Sequence, residues 1–307
     1  MSRHEDQSMS APEAATRAVA ARVDGELQRH LADPLAPGLY LVSTPIGNLG
    51  DITIRALSVL ARADVVLCED TRHSRTLLAH FAISTPARPY HEHNAARERP
   101  RVLRELEGGA RIALISDAGT PLVSDPGWKL VRAALDAGHR VEALPGASAA
   151  LAGLSVAGLP TDTFLFAGFL PPKSAARRAR IAELKDAPAT LVFFEAPSRV
   201  AETLADLAEG LGDRPAALAR ELTKLHEEVR RASLDELAAA TAKGAIKGEV
   251  VILVGPPQKA NVTDADIAAR LAPALKEMSL RDASRLVAEA LGVPKSRVYE
   301  LGLRRET

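Results

Sequence analysis

Short apolar runs alternate along the chain with longer segments in which apolar residues recur at helical spacing. Between Leu39 and Val156 this alternation predicts strands that are each followed by a helix. Because the runs are apolar throughout, the strands are expected to be buried on both faces, as in a parallel sheet covered by helices. The predicted strands are Leu39–Ser43, Val65–Cys68, Arg111–Ser116 and Arg140–Leu144. The predicted helices are Ile52–Ala63, Ser74–Phe81, one within His91–Gly109, Trp128–Ala137 and Ala147–Val156.

A second series of strands and helices begins after the break at Gly158-Leu159-Pro160-Thr161. Its predicted strands are Phe164–Gly168, Thr190–Glu195, Ala216–Arg220, Glu227–Ala232 and Val250–Val254. Its predicted helices are Ala175–Ala187, Arg199–Leu211 and Leu234–Thr241. We therefore expect an α/β protein with two α/β domains of similar size, residues 38–158 and 159–257.

The two ends of the chain do not fit this alternation. Residues 1–37 form an N-terminal extension that we expect to be partly disordered, with a possible helix over Ala14–Leu31 ended by Asp33-Pro34. Residues 258–307 contain three short helices, and Pro273 is expected to end or kink the first of them. These helices predict a small helix-turn-helix-like tail domain. Two roles are considered for this domain: packing only, as a small helical cap, or contact with nucleic acid.

The composition is that of an ordinary globular protein, with 47% hydrophobic residues, 25% charged residues and a formal net charge of +0. Zero net charge argues against a protein that coats nucleic acid, but it permits a local basic patch. The single cysteine, Cys68, lies in an apolar run, so neither a disulfide framework nor a cysteine zinc site is expected. The sequence has no secretory signal and no apolar stretch that could span a membrane, and we expect a cytoplasmic protein.

Four loops that directly follow predicted strands are rich in Gly, Pro, Ser and acidic residues. They are Ser43–Asp51, Ser116–Gly127, Pro145–Ser148 and Glu195–Arg199. Ligands of open α/β sheets bind outside the carboxyl ends of the strands. Neither a P-loop nor a dinucleotide-binding glycine pattern is present, so a nucleoside-triphosphatase or hydride-transfer enzyme has little support. The loops predict a polar small-molecule ligand with a cationic or hydroxylated part.

The motifs in and around these loops resemble, in order, those of the ribosomal RNA small subunit methyltransferase I family. The resemblance covers residues 38–257, and the C-terminal helices resemble the tail domain of that family. The matching segments are Leu41–Thr53, Cys68–Arg72, Tyr90–Asn94, Ser116–Gly127, Leu144–Ser148, Gly168–Lys173, Phe194–Arg199 and Arg220–Lys224.

The resemblance implies the fold of the tetrapyrrole methylase superfamily, with S-adenosylmethionine in a cleft between two α/β domains, and a homodimer. It further implies 2′-O-methylation of a cytidine in the decoding region of 16S ribosomal RNA, within the small ribosomal subunit. Carried over by motif, the donor site would contain Pro45, Ile46, Gly47, Asp117, Ala118, Gly119, Thr120, Ser148, Ala149, Ala196, Arg220 and Gly248.

Several residues are candidates to act on the acceptor. A general base could assist loss of the ribose hydroxyl proton, although positioning of the hydroxyl could suffice. The candidates are Asp70, Lys173 and Glu195, with His91 and His93 as alternatives. His91 and His93 are separated by one residue, a spacing that metal ligands can have. No third ligand lies at a suitable spacing, so we expect no metal site.

Two groups of basic residues near the predicted loops are candidates for phosphate contact. One follows Phe169–Pro172 and includes Lys173 and Arg180, and the other includes Arg75, Arg97 and Arg99. Any of these side chains could instead belong to a solvated helix face. The expected RNA-binding residues are Arg72, His93, Lys173, Arg177, Arg178 and Arg199.

Two other functions compete with rRNA methylation. A methylase of the same superfamily acting on a corrin or porphyrin precursor would share the loops, whereas the basic run after Lys173 and the C-terminal helices favour RNA. A non-catalytic RNA-binding or assembly protein would have no need of a donor pocket. Binding of S-adenosylhomocysteine would separate that protein from an enzyme.

Overall fold

The computed structural model describes residues 11–242, 244, 246–257 and 263–306. The chain divides into two compact units, Met1–Pro256 and Pro257–Thr307. Within the described residues, no helix has the length and apolar character needed to cross a membrane.

The first sheet of the larger unit is parallel throughout. Its strands are β1 (Gly38–Val42), β2 (Val65–Cys68), β3 (Ala87–Pro89), β4 (Arg111–Ile115) and β5 (Val141–Leu144), in the order β3-β2-β4-β1-β5. The helices of this half are α1 (Ala11–Ala32), α2 (Ile54–Arg62), α3 (Thr71–His80), α4 (Ala95–Glu107), α5 (Trp128–Asp136) and α6 (Ala149–Val156). The carboxyl ends of these strands lie at one edge of the sheet, where their following loops meet.

Alternate residues of the first sheet supply two separate cores. On one face Tyr40 and Val66 pack with Leu60 of α2, and on the other face Leu39 and Ile112 pack with residues of α4 and α5. Since successive side chains of a strand point to opposite faces, a continuous apolar run serves both cores. The sequence prediction of a parallel sheet covered on both faces is confirmed here.

The second sheet is mixed. Its strands are β6 (Phe164–Phe169), β7 (Thr190–Glu195), β8 (Pro215–Arg220), β9 (Glu228–Ser233) and β10 (Val250–Val254), in the order β6-β7-β10-β8-β9. Its own helices are α7 (Ser174–Leu184), α8 (Val200–Leu211) and α9 (Leu234–Thr241). β6 and β7 are parallel, whereas β10 is antiparallel to β7 and β8, and β9 is antiparallel to β8.

Helix α6 joins the two halves of the larger unit. Ala150 and Leu154 of this helix pack on the face of the second sheet that carries Val192, Val251 and Leu253. The approach is close, because a Cβ atom on Gly153 would lie 3.2 Å from Val251 Cγ1. One face of the second sheet is therefore covered by an element that belongs, in sequence, to the first half.

The N-terminal extension is helical from Ala11 to Ala32, and residues 1–10 lie outside the described residues. Most side chains of α1 up to Gly25 are exposed. Its last turn is attached to α2, where the Ser58 hydroxyl donates to the His30 carbonyl at 3.0 Å and the Arg62 guanidinium donates to the Asp33 carbonyl. Part of the extension was expected to be disordered, and its described part is a continuous helix over Ala11–Ala32 followed by five non-helical residues, 33–37.

The smaller unit consists of α10 (Asp264–Ala274), α11 (Leu280–Leu291) and α12 (Lys295–Glu306). The side chains of Thr263 and Ser279 accept hydrogen bonds from backbone N–H groups and so cap α10 and α11. Ile267, Leu271 and Val298 are fully buried in a core of this unit's own. The three helices predicted from the sequence are confirmed, and α10 ends one residue after Pro273.

Candidate functional site

Hydrogen bonds tie together the loops that follow β1, β4 and β5. Thr44 and Gly119 exchange backbone hydrogen bonds of 2.9 and 3.0 Å, like residues of paired strands. The Ser43 hydroxyl donates to the Leu144 carbonyl at 3.1 Å, and the Thr120 hydroxyl donates to the Ala147 carbonyl at 3.2 Å. The loops therefore form one rigid edge, which the sequence predicted only as a set of neighbouring turns.

A pocket of about 410 Å³ lies at this edge, between loops of the first sheet and the ends of strands from the second. Phe169 and Phe194 line it from the second half, with their ring centroids 5.7 Å apart. The lining residues are Ile46, Asp117, Ala118, Gly119, Thr120, Val123, Ser124, Asp125, Ser148, Ala149, Phe169, Phe194, Glu195, Ala196, Pro197, Leu222, Glu249, Val250 and Val251.

The pocket combines apolar walls with a few polar groups. The Ser148 hydroxyl caps α6, and the first-turn N–H groups of that helix have no partner within the helix, which suits a carboxylate. The Asp117 carboxylate accepts a hydrogen bond from the Asp70 N–H at 3.2 Å and lies at the wall. A carboxylate there suits an ammonium group or a hydroxyl. An amphiphilic ligand that carries an amino-acid end fits this arrangement.

The long loop Ser116–Gly127 has a strained backbone beside the pocket. Leu122 and Ser124, which are not glycines, have φ angles of +73° and +63°. Such conformations cost about 1–3 kcal/mol each and are concentrated at functional sites. The loop is thus held in a strained shape where Ser124 lines the pocket.

Eight of the twelve residues predicted to bind the donor line this pocket, and four do not. The lining residues among them are Ile46, Asp117, Ala118, Gly119, Thr120, Ser148, Ala149 and Ala196. Pro45, Gly47, Arg220 and Gly248 stand outside the lining. Pro45 is buried behind it, while Arg220 donates from Nε to Glu228 at 2.6 Å along the second sheet.

Gly47 and Gly248 shape the site through contacts with the loop after β8. A Cβ atom on Gly47 would lie 2.3 Å from the Lys224 side chain, and one on Gly248 would lie 2.3 Å from the Glu221 carboxylate. Lys224 in turn pairs with Glu221 at 2.8 Å and with Glu249, a lining residue, at 3.2 Å. These glycines make room for an ion-paired loop next to the pocket.

The predicted catalytic residue Glu195 lines the pocket, but its carboxylate is committed to local bonds. Its side chain is fully buried and accepts hydrogen bonds from the Thr203 hydroxyl at 2.6 Å and from the Ala196 N–H at 2.8 Å. Arg199 pairs with it at 3.4 Å. Glu195 is therefore arranged to hold the loop after β7, rather than to take a proton.

The predicted catalytic residues Asp70 and Lys173 are not part of the lining. Asp70 caps α3, and hydrogen bonds from the Arg72 guanidinium and backbone hold the pKa of its carboxyl well below the usual range. A carboxylate with so low a pKa is a weak base near neutral pH. Lys173 is exposed at the start of α7.

Sequence reasoning missed a carboxyl group that faces the pocket, Asp125. Burial raises its pKa to about 6, and the neighbouring charges of Glu69 and Asp117 act in the same direction. Asp125 lies within the predicted long loop, so its position after β4 was a usable signal. Phe169, Phe194 and Leu222 also lie within predicted motifs, whereas Glu249–Val251 join the pocket only through the topology of the second sheet.

The predicted RNA-binding residues differ in exposure. Arg177 is 2% exposed, and its guanidinium binds Asp206 at 2.6 Å, so the expectation that it contacts RNA is corrected. Arg199 donates to the Leu170 and Pro171 carbonyls at 2.8 and 3.1 Å and thereby fixes the loop before α7. Lys173 is exposed beside that loop.

The remaining basic candidates are exposed, and two of them are ion-paired. Arg72 pairs with Asp70 at 2.7 Å, and Arg178 pairs with Asp206 at 2.8 Å and with Glu209 at 2.9 Å. His93 is exposed, and its ring centroid lies 6.0 Å from that of His91. Among the described residues, no group of three or more His, Cys, Asp or Glu side chains is placed to hold a metal ion.

Comparison with known proteins shows the family. Residues 38–238 match the Tetrapyrrole (Corrin/Porphyrin) Methylases, and residues 261–306 match the RsmI C-terminal HTH domain. The ribosomal RNA small subunit methyltransferase I of Mesorhizobium japonicum is 52% identical over 87% of this chain and 92% of that protein. The protein of the same name from Pseudomonas aeruginosa is 47% identical over 87% of this chain and 97% of that protein.

Solved structures share the fold at lower identity. A cobalt precorrin-4 methyltransferase matches with a TM-score of 0.54 and 18% identity, over 74% of this chain and 95% of that one. A uroporphyrin-III-C-methyltransferase from Thermus thermophilus matches with a TM-score of 0.53 and 26% identity, over 71% and 94%. These solved structures show the fold that the chain shares. The two family matches and the relatives at 52% and 47% identity show that the chain belongs to the ribosomal RNA small subunit methyltransferase I family of the tetrapyrrole methylases.

Proposed function

We propose that this protein transfers a methyl group from S-adenosylmethionine to the ribose 2′-oxygen of a cytidine in the decoding region of 16S ribosomal RNA. Two observations together support the proposal. A pocket that suits the donor lies at the strand ends, and the chain is 52% identical to a protein named for rRNA small subunit methylation. The uroporphyrin methylases share the fold, and their identity with this chain is much lower.

The pocket suits the parts of the proposed donor. Phe169, Phe194 and Ile46 supply apolar surface for an adenine ring. Asp117 suits the donor's ammonium group or ribose hydroxyls, and the N-terminus of α6 suits its carboxylate. A uroporphyrin-III C-methyltransferase of this fold has been solved with S-adenosylhomocysteine, at a TM-score of 0.50.

The bound donor supplies a methyl group on a sulfonium, which is activated without a metal. The chain must then hold the acceptor oxygen in line with that methyl group at about 3–3.5 Å, and such positioning alone can account for much of the acceleration. The rigid edge formed by Thr44, Gly119 and Thr120 provides a fixed platform for this alignment. Exposed Lys173 and Arg72 are proposed to contact phosphates of the RNA.

The direct test is a reaction of purified protein with methyl-labelled donor and small ribosomal subunits, followed by digestion of the RNA to nucleosides. We expect the label in 2′-O-methylcytidine. Label in a base-methylated nucleoside would refute the ribose assignment, and absence of both labelled product and S-adenosylhomocysteine binding would support the non-enzymatic alternative.

We also propose that the protein works as a homodimer in the cytoplasm, where its RNA substrate is assembled. Sedimentation equilibrium of the full chain would give about twice the 32.5 kDa mass of one protomer. A protomer mass at enzyme-assay concentrations would refute the dimer and leave the proposed reaction untouched.

A further inference from the structure

Asp125 stands between two cavities. On one side it lines the pocket together with Asp117 and Ser124. On the other side it lines a small cavity of about 10 Å³, which Glu69, Tyr90 and Ser116 also line. This volume is close to the minimum that holds one water molecule. Asp125 is thus an acidic residue that lines both the pocket and the small cavity.

The groups that face Asp125 come from three strand ends. Glu69 follows β2, Tyr90 follows β3, and Asp117 follows β4. The Tyr90 hydroxyl is buried and has no hydrogen-bond partner among the described residues. The charge of the neighbouring Glu69 raises the pKa of the Asp125 carboxyl, and Glu69 itself is exposed to solvent. Asp125 therefore has a neighbouring carboxylate that is in contact with solvent.

We propose that Asp125 is the general base of the methyl transfer and that Glu69 passes the proton on to solvent. The inference deepens the proposed function and rests on it, since a ribose hydroxyl is the group that must lose a proton. In the proposed step, the Asp125 carboxylate takes the proton of the 2′-hydroxyl. The 2′-oxygen then forms its bond to the methyl carbon, and the sulfur retains the electron pair of the broken carbon–sulfur bond.

The chemistry of Asp125 fits this role better than that of the other acids near the site. Its pKa of about 6 leaves the carboxyl mostly ionised at neutral pH and yet more basic than an ordinary aspartate. The Asp70 carboxyl is a weaker base because Arg72 lowers its pKa. The Glu195 carboxylate already accepts bonds from Thr203 and Ala196.

The first experiment compares single-turnover rates of the full-length wild type and Asp125→Asn on small subunits between pH 5 and 9. Wild-type rates should rise as pH passes about 6, because the base acts only when ionised. Asp125→Asn should lose this limb and about 10²–10⁴-fold in rate. Asp136→Asn, which removes an exposed carboxyl at the end of α5, is the matched control and should behave as wild type.

The second experiment observes Asp125 without turnover. Carbon-13 NMR of side-chain-labelled aspartate, assigned by the signal lost in Asp125→Asn, should show a carboxyl that titrates near pH 6. In Glu69→Gln the midpoint should move to lower pH, because a like charge that raises the pKa has been removed. The low-pH limb of the rate profile should move in the same direction.

Thermal unfolding of Asp125→Asn checks that the variant is folded, with a melting temperature within about 5 °C of wild type expected. If the folded Asp125→Asn keeps the wild-type rate and pH limb, Asp125 is not the base. If wild type itself forms no 2′-O-methylcytidine, the proposed function fails instead. An unchanged Asp125 midpoint in Glu69→Gln would refute the relay.

Discussion

Gly119 contributes to the pocket through the absence of a side chain. Its φ angle is +80°, and a Cβ atom there would lie 3.3 Å from Ile46 Cγ2. Gly119→Leu should therefore fill the pocket and abolish binding of S-adenosylhomocysteine, measured by calorimetry. The left-handed backbone should also cost about 1–2 kcal/mol of stability, because an L-residue is strained there.

Gly138 provides the matched control for this change. Its φ angle is +79°, and a Cβ atom there would meet nothing within 4 Å. Gly138→Leu should show a similar loss of stability and normal binding, so that strain and pocket filling are separated. If Gly119→Leu bound S-adenosylhomocysteine normally, the assignment of the ligand to this pocket would be wrong.

Sequence reasoning identified pocket-lining residues where a loop motif directly follows a strand. Ile46, Asp117–Thr120 and Ser148 all line the pocket because strand ends gather at one edge of a sheet. Arg220 lies outside the lining, because its guanidinium lies along the sheet toward Glu228. Sequence position fixes a residue's strand but does not determine which way a long side chain turns at its end.

At the scale of elements, the basic run of α7 is largely neutralised by the acidic residues of α8. Arg177 Nε lies 2.6 Å from Asp206 Oδ2, with side chains only 3% and 5% exposed, and Arg178 binds the other oxygen at 2.8 Å. A charge run of this kind resembles an RNA-binding surface in the sequence. The ion pairs between α7 and α8 that neutralise this charge run are visible only in the three-dimensional structure.

Arg177→Met should destabilise the fold strongly. Removing one partner of a buried ion pair typically costs 3–5 kcal/mol, and because Asp206 keeps Arg178 we expect about 3 kcal/mol, measured by urea unfolding. Arg180→Met on the exposed side of the same helix should change stability by less than about 0.5 kcal/mol. Equal effects of the two changes would contradict the assignment of Arg177 as a buried structural residue.

Lys173→Glu should weaken RNA binding and leave S-adenosylhomocysteine binding intact, because Lys173 is exposed at the start of α7 and outside the pocket. Loss of one phosphate contact should lower the salt slope of RNA affinity by about 0.7–1. Lys185→Glu makes the same charge change just beyond the other end of α7 and should have a smaller effect. If Lys173→Glu matched Lys185→Glu in affinity and salt slope, Lys173 would not contact RNA.

Helix and strand boundaries were predictable to within a few residues, with informative exceptions. Helix α3 begins at Thr71 rather than Ser74, because Asp70 caps it. Strand β3 (Ala87–Pro89) was not predicted, since three residues that include proline carry little periodic signal. It lies at the sheet edge beside β2, where such a strand is tolerated.

At the scale of the whole molecule, two sheets of five strands form one unit because α6 is shared between them. The sequence predicted two α/β halves with a break near Gly158, and it could not indicate that a helix before the break covers the sheet after it. That sharing brings Ser148 at the start of α6 to the same pocket as Phe194 and Val251. The site therefore depends on long-range packing that no local motif encodes.

The central claim is that this pocket supports 2′-O-methylation of a cytidine in 16S ribosomal RNA, and ribose-methylation mapping tests it most directly. The RNA would come from a strain lacking the gene, complemented with wild type, Gly119→Leu or Gly138→Leu. The account predicts one alkali-resistant cytidine in the decoding region with wild type and Gly138→Leu, and its absence with Gly119→Leu and in the uncomplemented strain. Alkali resistance that is the same in all four samples would contradict the account.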